Sequence, residues 1–276
     1  MTIQKIRSTN DQMHRSPAVL RPSFVPRLPI SWITVPGGVA LFLSAWTLTA
    51  RAYPAFILPS PARVYARFVV VALDGTLWRH ALATLTEATL GFAIGFAVAV
   101  VVGYAIAKSP TVEKAVSPFI VASQSFPIVA VAPLLVLWFG TGLLSKILVC
   151  ALIVFFPIVV NAVVGLRSVD PRAVELMRSF SASRLDIFTR LEVPAALPVL
   201  FGGLRIGITL SVIGAVVGEF VGATRGLGFL VTVARGLYDT PLMFVGIFSL
   251  VAIALTLYIA VAWLEKRFVR RPGTGE

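Results

Sequence analysis

The chain has 276 residues, 58% apolar and 13% charged, against about 45–50% and about 25% in soluble domains, which excludes an ordinary water-soluble enzyme. The 24 Lys and Arg outnumber the 12 Asp and Glu to give +12. They lie between long apolar runs instead of forming a patch interleaved with aromatics, so a membrane is the expected counterpart and nucleic acid is not.

A bilayer core about 30 Å thick takes about 20 residues of helix. After a polar tail at 1–27, the run 28–50 is the first predicted crossing. Its 23 residues exceed the about 7–15 of a signal-peptide core. The segment 51–80 follows outside the membrane, and 62–77 within it mixes basic and bulky apolar residues as an amphipathic surface helix does. The second crossing is 88–107. The third, 115–145, is too long for one straight helix; Pro127 and Pro133 interrupt it and Gly140-Thr141-Gly142 should end it, giving a bent crossing. The fourth is 147–166. The fifth, 197–222, carries Arg205 and Glu219, and the sixth is 240–264, before a tail at 265–276. The expectation is an all-α polytopic membrane protein of six transmembrane helices, with 81–264 as a core that includes a loop at 167–197.

Sixteen Lys and Arg fall on the side of the two tails and the 167–190 loop, and seven, Lys146 among them, on the other. Cytoplasmic loops retain positive charge, so both termini are expected in the cytoplasm. One cysteine, Cys150, and two histidines far apart, His14 and His80, provide neither a disulfide framework nor a metal or triad set. No cofactor is expected.

The loop carries a regular pattern. Asp170-Pro171 reads as a helix start, with the carboxylate as N-cap and proline at the first helical position. Val174, Met177 and Phe180 recur at helical spacing. A second start stands at Ser183-Arg184-Leu185-Asp186, where the hydroxyl can cap the third amide and the Asp can reach back, followed by a stripe of Leu185, Phe188 and Leu191. A solvated connector has no need of such a stripe; a docking element does.

At this loop the chain resembles the inner-membrane permease subunits of bacterial ABC importers. Their signature is Glu-Ala-Ala, three residues, Gly, nine residues, then Ile-x-Leu-Pro. Glu175, Ser181 and Leu191-Glu192-Val193-Pro194 reproduce its spacing, with Leu176-Met177 in place of the alanines and Ser181 in place of the glycine. The resemblance is closest to permeases of the nitrate, taurine and alkanesulfonate type. It is carried in order by Ile57-Leu58-Pro59-Ser60-Pro61, Trp138-Phe139-Gly140-Thr141-Gly142, Phe155-Phe156-Pro157-Ile158, Pro194-Ala195-Ala196-Leu197-Pro198, Gly203-Leu204-Arg205, and Glu219 with Gly226-Leu227-Gly228. It implies a MetI-like ABC importer permease fold with one extra N-terminal helix, set in the lipid of a bacterial inner membrane. It also implies a second permease copy, two ABC ATPase subunits and an extracytoplasmic solute-binding protein. Related transporters carry sulfonates, taurine, nitrate and nitrite, or pyrimidine vitamin precursors.

The chain has no G-x-x-x-x-G-K-[ST] phosphate loop, so it is not itself expected to hydrolyse ATP. By the resemblance, 175–184 would be the coupling helix and turn seated in the ATPase. Met177, Phe180, Ala182 and Ser183 would supply shape, and Glu175, Arg178 and Arg184 charged contacts. Ser181 stands where a turn glycine takes a left-handed conformation, at a cost of about 1 kcal/mol to another residue, and Val193-Pro194 is expected to end the loop stiffly. In the fifth crossing, Gly203, Gly207, Gly214 and Gly218 fall within about 60° of one another, a strip for close helix approach. Two readings stand: a sliding contact between two permeases, or static packing inside one. Gly91 and Gly95 repeat the motif. Irregular backbone at depth suits a cavity, which makes Ser123, Ser125 and Pro127 candidate pathway positions. Glu219 joins them because ionisable groups at membrane depth are functional suspects. The alternative function is an ion-coupled secondary transporter using Glu87 and Glu219.

Overall fold

The computed structural model describes residues 31–124 and 127–269. The chain divides into two units, Met1–Trp46 and Thr47–Glu276. Most of helix α1 (Ser31–Arg51) falls in the first. The second holds α2 (Pro61–Leu73), α3 (Thr76–Lys108), α4 (Pro110–Gln124), α5 (Ile128–Phe139), α6 (Leu143–Arg167), α7 (Pro171–Ser179) and α8 (Arg184–Ile187). A π-turn at Phe188–Glu192 then leads into α9 (Val193–Gly222), followed by α10 (Leu227–Gly236) and α11 (Thr240–Phe268).

Helix α6 is central, packed between α3 and α9, with α11 on the other side of α9. The distribution of side-chain size explains why. Along the middle of α3, from 88 to 103, the buried positions are Ala88, Gly91, Gly95, Ala99 and Gly103, whereas Leu90, Ile94, Val98 and Val101 are exposed. A water-soluble helix does the reverse, burying its large apolar residues. In hydrocarbon, apolar side chains gain nothing by leaving the surface, so helices associate where small residues let backbones approach. The exposed stripe is a lipid-compatible surface, and among the described residues four helices (α3, α6, the run from α8 through α9, and α11) are long and apolar enough to cross a bilayer.

The glycine strip of α9 settles onto α6 of the same chain. A methyl group at Gly203 would meet Asn161, one at Gly214 the Cys150 backbone, and one at Gly218 Lys146; at Gly207 it would meet the tip of Ile158. Gly91 and Gly95 of α3 face Cys150 and Ala151 of the same helix. The strip is therefore taken up by packing inside one chain.

Three expectations change in the fold. The predicted third crossing is two helices: α4 and α5 are separated at Pro127, but Pro133 lies inside α5 and does not interrupt it. The amphipathic helix α2 ends at Leu73, four residues earlier than predicted, because Gly75 takes a φ of +79°. Helix α3 begins at Thr76, well before residue 88, since Glu87 is buried and does not mark the start of the apolar span.

Candidate functional site

The loop between α6 and α9 follows the local chemistry of its sequence. Asp170 caps α7 by accepting from the Arg172 amide at 2.9 Å, with Pro171 in the first turn. At the other end, the Ser181 N–H donates to the Arg178 carbonyl at 2.9 Å and the Ala182 N–H to the Met177 carbonyl at 3.0 Å. That paired pattern is a Schellman ending, whose pivot residue is left-handed. The pivot is Ser181, at φ +60°, so the loop bears the strain that a glycine would avoid. Ser183 then opens α8 with a complete capping box: the Asp186 amide donates to Ser183 Oγ at 3.1 Å, and the Ser183 amide to Asp186 Oδ2 at 3.2 Å.

Part of the loop's apolar surface points outward, while Ile187 is buried and Phe188 packs edge-on against Tyr104. Phe180 is 79% exposed, Leu185 69% and Leu176 59%; Met177 and Ala182 are half-buried, and Glu175, Arg178, Ser183 and Arg184 are exposed. Glu175, Arg178 and Arg184 form no ion pair among the described residues. This is an unpartnered mixed surface on a rigid frame.

Ion pairs fasten that frame. Arg167 binds Glu113 at 2.6 Å, and the guanidinium holds the Glu113 carboxyl below its usual value. Lys108, ending α3, binds the buried Glu192 of the π-turn. Arg205 of α9 binds Glu265 of α11 at 2.5 Å.

Pro194 does not end the loop. It lies in the first turn of α9, and helix runs without a break from Arg184 to Gly222, 39 residues. Proline lacks the N–H that the carbonyl four residues back would take, and its ring strikes that carbonyl. The π-turn widens the helix just before it, with the Val193 N–H reaching back to the Phe188 carbonyl, and this removes the conflict. Loop and crossing are one rod of roughly 58 Å at 1.5 Å per residue.

At the end of the bundle away from this loop, a second polar cluster joins α3, α6, α9 and α10. Lys146 Nζ donates to Glu87 Oε1 at 2.9 Å, and the two residues are 5% and 2% exposed. Glu219, 2% exposed, accepts from the Thr84 hydroxyl at 2.6 Å and from the Gly228 amide at 2.5 Å. The Leu227 amide donates to Thr84 Oγ1 at 2.8 Å. His80 Nδ1 sits 3.1 Å from the Gly226 N–H and 2.9 Å from its carbonyl. A helix N-terminus leaves free amides and a partial positive charge, and here Glu219 and Thr84 satisfy both. A carbon added at Gly226 or Gly228 would collide with the Glu219 carboxyl, which accounts for both glycines. Beside this clasp opens a cleft of about 530 Å³, lined by Arg79, Thr86, Glu87, Thr141, Lys146 and Arg225 among others.

Of the candidate pathway positions, Ser123 lies near the end of α4 and Pro127 caps α5, while Ser125 lies outside the described residues. Glu219 is engaged in the clasp. Sequence reasoning passed over Lys146, which follows the Gly140–Gly142 break and was counted among loop charges. Thr84 and Lys108 carry no signal of their own in the sequence, and His80 and Glu192 stand there only as an isolated histidine and as the free position of the Leu191-Glu192-Val193-Pro194 motif. A lone Lys and a lone Glu, each in apolar surroundings, were the available signal for the Lys146–Glu87 pair.

Comparison with known proteins agrees with this architecture. Residues 91–270 match the family described as binding-protein-dependent transport system inner membrane component. The riboflavin transport system permease protein of Chloroflexus aurantiacus is 48% identical over 86% of this chain and 89% of its own length. The formylaminopyrimidine transport permease protein of Halalkalibacterium halodurans is 36% identical over 82% and 90%, and the taurine transport system permease protein of Escherichia coli 34% over 87% and 89%. An inward-facing structure of the MetNI methionine ABC transporter shares the fold, with a TM-score of 0.64 and 20% identity over 72% of this chain and 99% of that one. The long apolar helices, the family match and these relatives together make the chain a member of the binding-protein-dependent inner-membrane components, the non-catalytic permease subunits of ABC importers, which work with a partner ATPase and a substrate-binding protein.

Proposed function

We propose that the loop surface around Phe180 is the seat of the ATPase. Two copies of this chain would form the translocation pathway, each gripped by one ATPase subunit. The loop end and both termini then face the cytoplasm, and the clasp end faces the extracytoplasmic binding protein. The observation that carries the reading is the exposed, ion-pair-free set of Phe180, Glu175, Arg178 and Arg184 at one end of an unbroken rod that becomes a membrane crossing. A displacement at Arg184 is carried along the rod as a rigid body, the kind of motion that exchanges access between two sides. The pathway runs past the end of α4 near Ser123 and the start of α5 at Pro127. Glu219 holds the clasp instead of touching solute, because Thr84 and Gly228 already take both its oxygens.

The solute is a small organic nutrient. The 48% identity with a riboflavin permease and 36% with a formylaminopyrimidine permease make a heterocyclic vitamin or its precursor the class to test first, with sulfonates such as taurine second. The test is reconstitution of the permease with its ATPase and binding protein in liposomes. ATP-dependent uptake that disappears in Phe180→Ala, with the ATPase lost from the purified complex, is the expected result. Uptake that persists without ATP and collapses with the ion gradient would return the ion-coupled alternative.

A further inference from the structure

A turn at 52–60 joins α1 to α2, and two contacts fasten this region to the start of α11. Thr240, the first residue of that helix, donates its hydroxyl to the Phe56 carbonyl at 2.5 Å, and Arg67 of α2 binds Asp239 at 2.7 Å. Because α11 is long and apolar enough to cross a bilayer, the turn is held at the level where a crossing begins. Between the last turn of α1 and the first turn of α2 lies a cleft of about 550 Å³, wholly within the second unit and lined by Arg51, Tyr53, Ser60 and Arg63 among others.

Arg67 has its carboxylate, but Arg51 and Arg63 form no ion pair among the described residues. The acids at this end of the bundle lie elsewhere: Asp239 is taken by Arg67, Glu87 and Glu219 are buried in the clasp, and Asp74 closes the far end of α2. Ser60 does not spend its hydroxyl on capping α2. Two guanidiniums facing one cleft repel each other, and an anion between them removes that repulsion. A guanidinium fork suits the paired oxygens of a phosphate group. The neighbouring surface is apolar, with Leu48, Phe56 and Ile57 each more than half exposed. Cations beside an apolar rim, at the boundary of a crossing, complement a lipid whose phosphate sits above its acyl chains. We propose that this cleft binds the phosphodiester of an anionic phospholipid, with Arg51 and Arg63 on its oxygens, the Tyr53 and Ser60 hydroxyls as further donors, and the acyl chains along Leu48, Phe56 and Ile57. A free phosphate would meet the same arginines and leave the apolar rim bare. The site depends on neither the ATPase seat nor the solute.

The test uses the purified full-length permease in its complex, titrated with phosphatidylglycerol, phosphatidylcholine or inorganic phosphate, with bound lipid counted by native mass spectrometry. Arg51→Gln and Arg63→Gln are each expected to weaken the tightest phosphatidylglycerol binding about fivefold, and the double variant roughly 25-fold. Arg235→Gln, at an exposed arginine that does not line the cleft, should leave it unchanged. Phosphatidylcholine, which has no net charge, should bind more weakly, and inorganic phosphate at equal concentration should not displace the lipid. If the double variant does not accumulate, the two single variants still decide. Equal phosphatidylglycerol affinity in the wild type and the cleft variants would overturn the proposal. So would an equal loss in Arg235→Gln, phosphatidylcholine binding as tight as phosphatidylglycerol, or displacement by inorganic phosphate.

Discussion

Lys108 at the end of α3 is ion-paired with Glu192 in the π-turn, joining one crossing to the wide turn that leads into another. Glu192 is 6% exposed, so removing its partner strands a buried carboxylate, whereas the lysine is in partial contact with water. Lys108→Ala should cost about 1–2 kcal/mol, between the values for exposed and fully buried pairs. The more exposed pair of Arg67 and Asp239 should cost less when Arg67 is changed to Ala. Thermal unfolding of the two purified variants side by side checks the order.

Phe180 offers a large apolar surface that none of the described residues covers. Phe180→Ala should leave the permease folded, with an unchanged thermal midpoint, and weaken ATPase binding by about 2 kcal/mol or roughly 30-fold, as for a central interface aromatic. Glu175→Ala and Arg184→Ala should lower coupled uptake with insertion intact. Quantitative pull-down of the ATPase, together with uptake per inserted permease, reads both.

The left-handed Ser181 is a position where glycine is the better residue. Ser181→Gly should stabilise the loop by about 1 kcal/mol, and Ser181→Val should destabilise it, because a β-branched side chain resists positive φ. Amide hydrogen exchange across 171–187 should slow about fivefold in the first variant and accelerate in the second.

Helix approach predicts a graded set of alanine substitutions. Gly95→Ala and Gly214→Ala press a methyl against backbone atoms of Ala151 and Cys150 and should each cost about 1–3 kcal/mol. Gly207→Ala meets a movable end of Ile158, and Gly202→Ala meets nothing within 4 Å. The former should cost less than the backbone clashes, and the latter should be neutral or stabilising by up to about 1 kcal/mol. A melting series of the four separates close packing from a general intolerance of the crossings.

What the sequence disclosed was local or periodic. The Asp170 cap, the Ser183–Asp186 box and the left-handed demand at Ser181 each involve a few neighbouring residues, and the α9 glycines repeat at helical spacing. What it withheld was made by distant partners. Lys146 follows a glycine break and reads as a loop charge until Glu87, 59 positions away, is brought beside it. Helix α10 has ten residues, too few to register as a crossing, and its amides are capped from α3 and α9. Pro194 looks like a stop because its local chemistry forbids a regular turn; the remedy, a widened turn before it, depends on how α9 continues.

That widened turn holds one residue more than a regular one, its bond spanning five positions from Val193 back to Phe188 where an α-turn spans four. Deleting one residue within 188–192 would draw it back to the regular spacing and set the Pro194 ring against the carbonyl four residues before it. The rod would bend at that point, leaving an intact membrane bundle with its handle turned away.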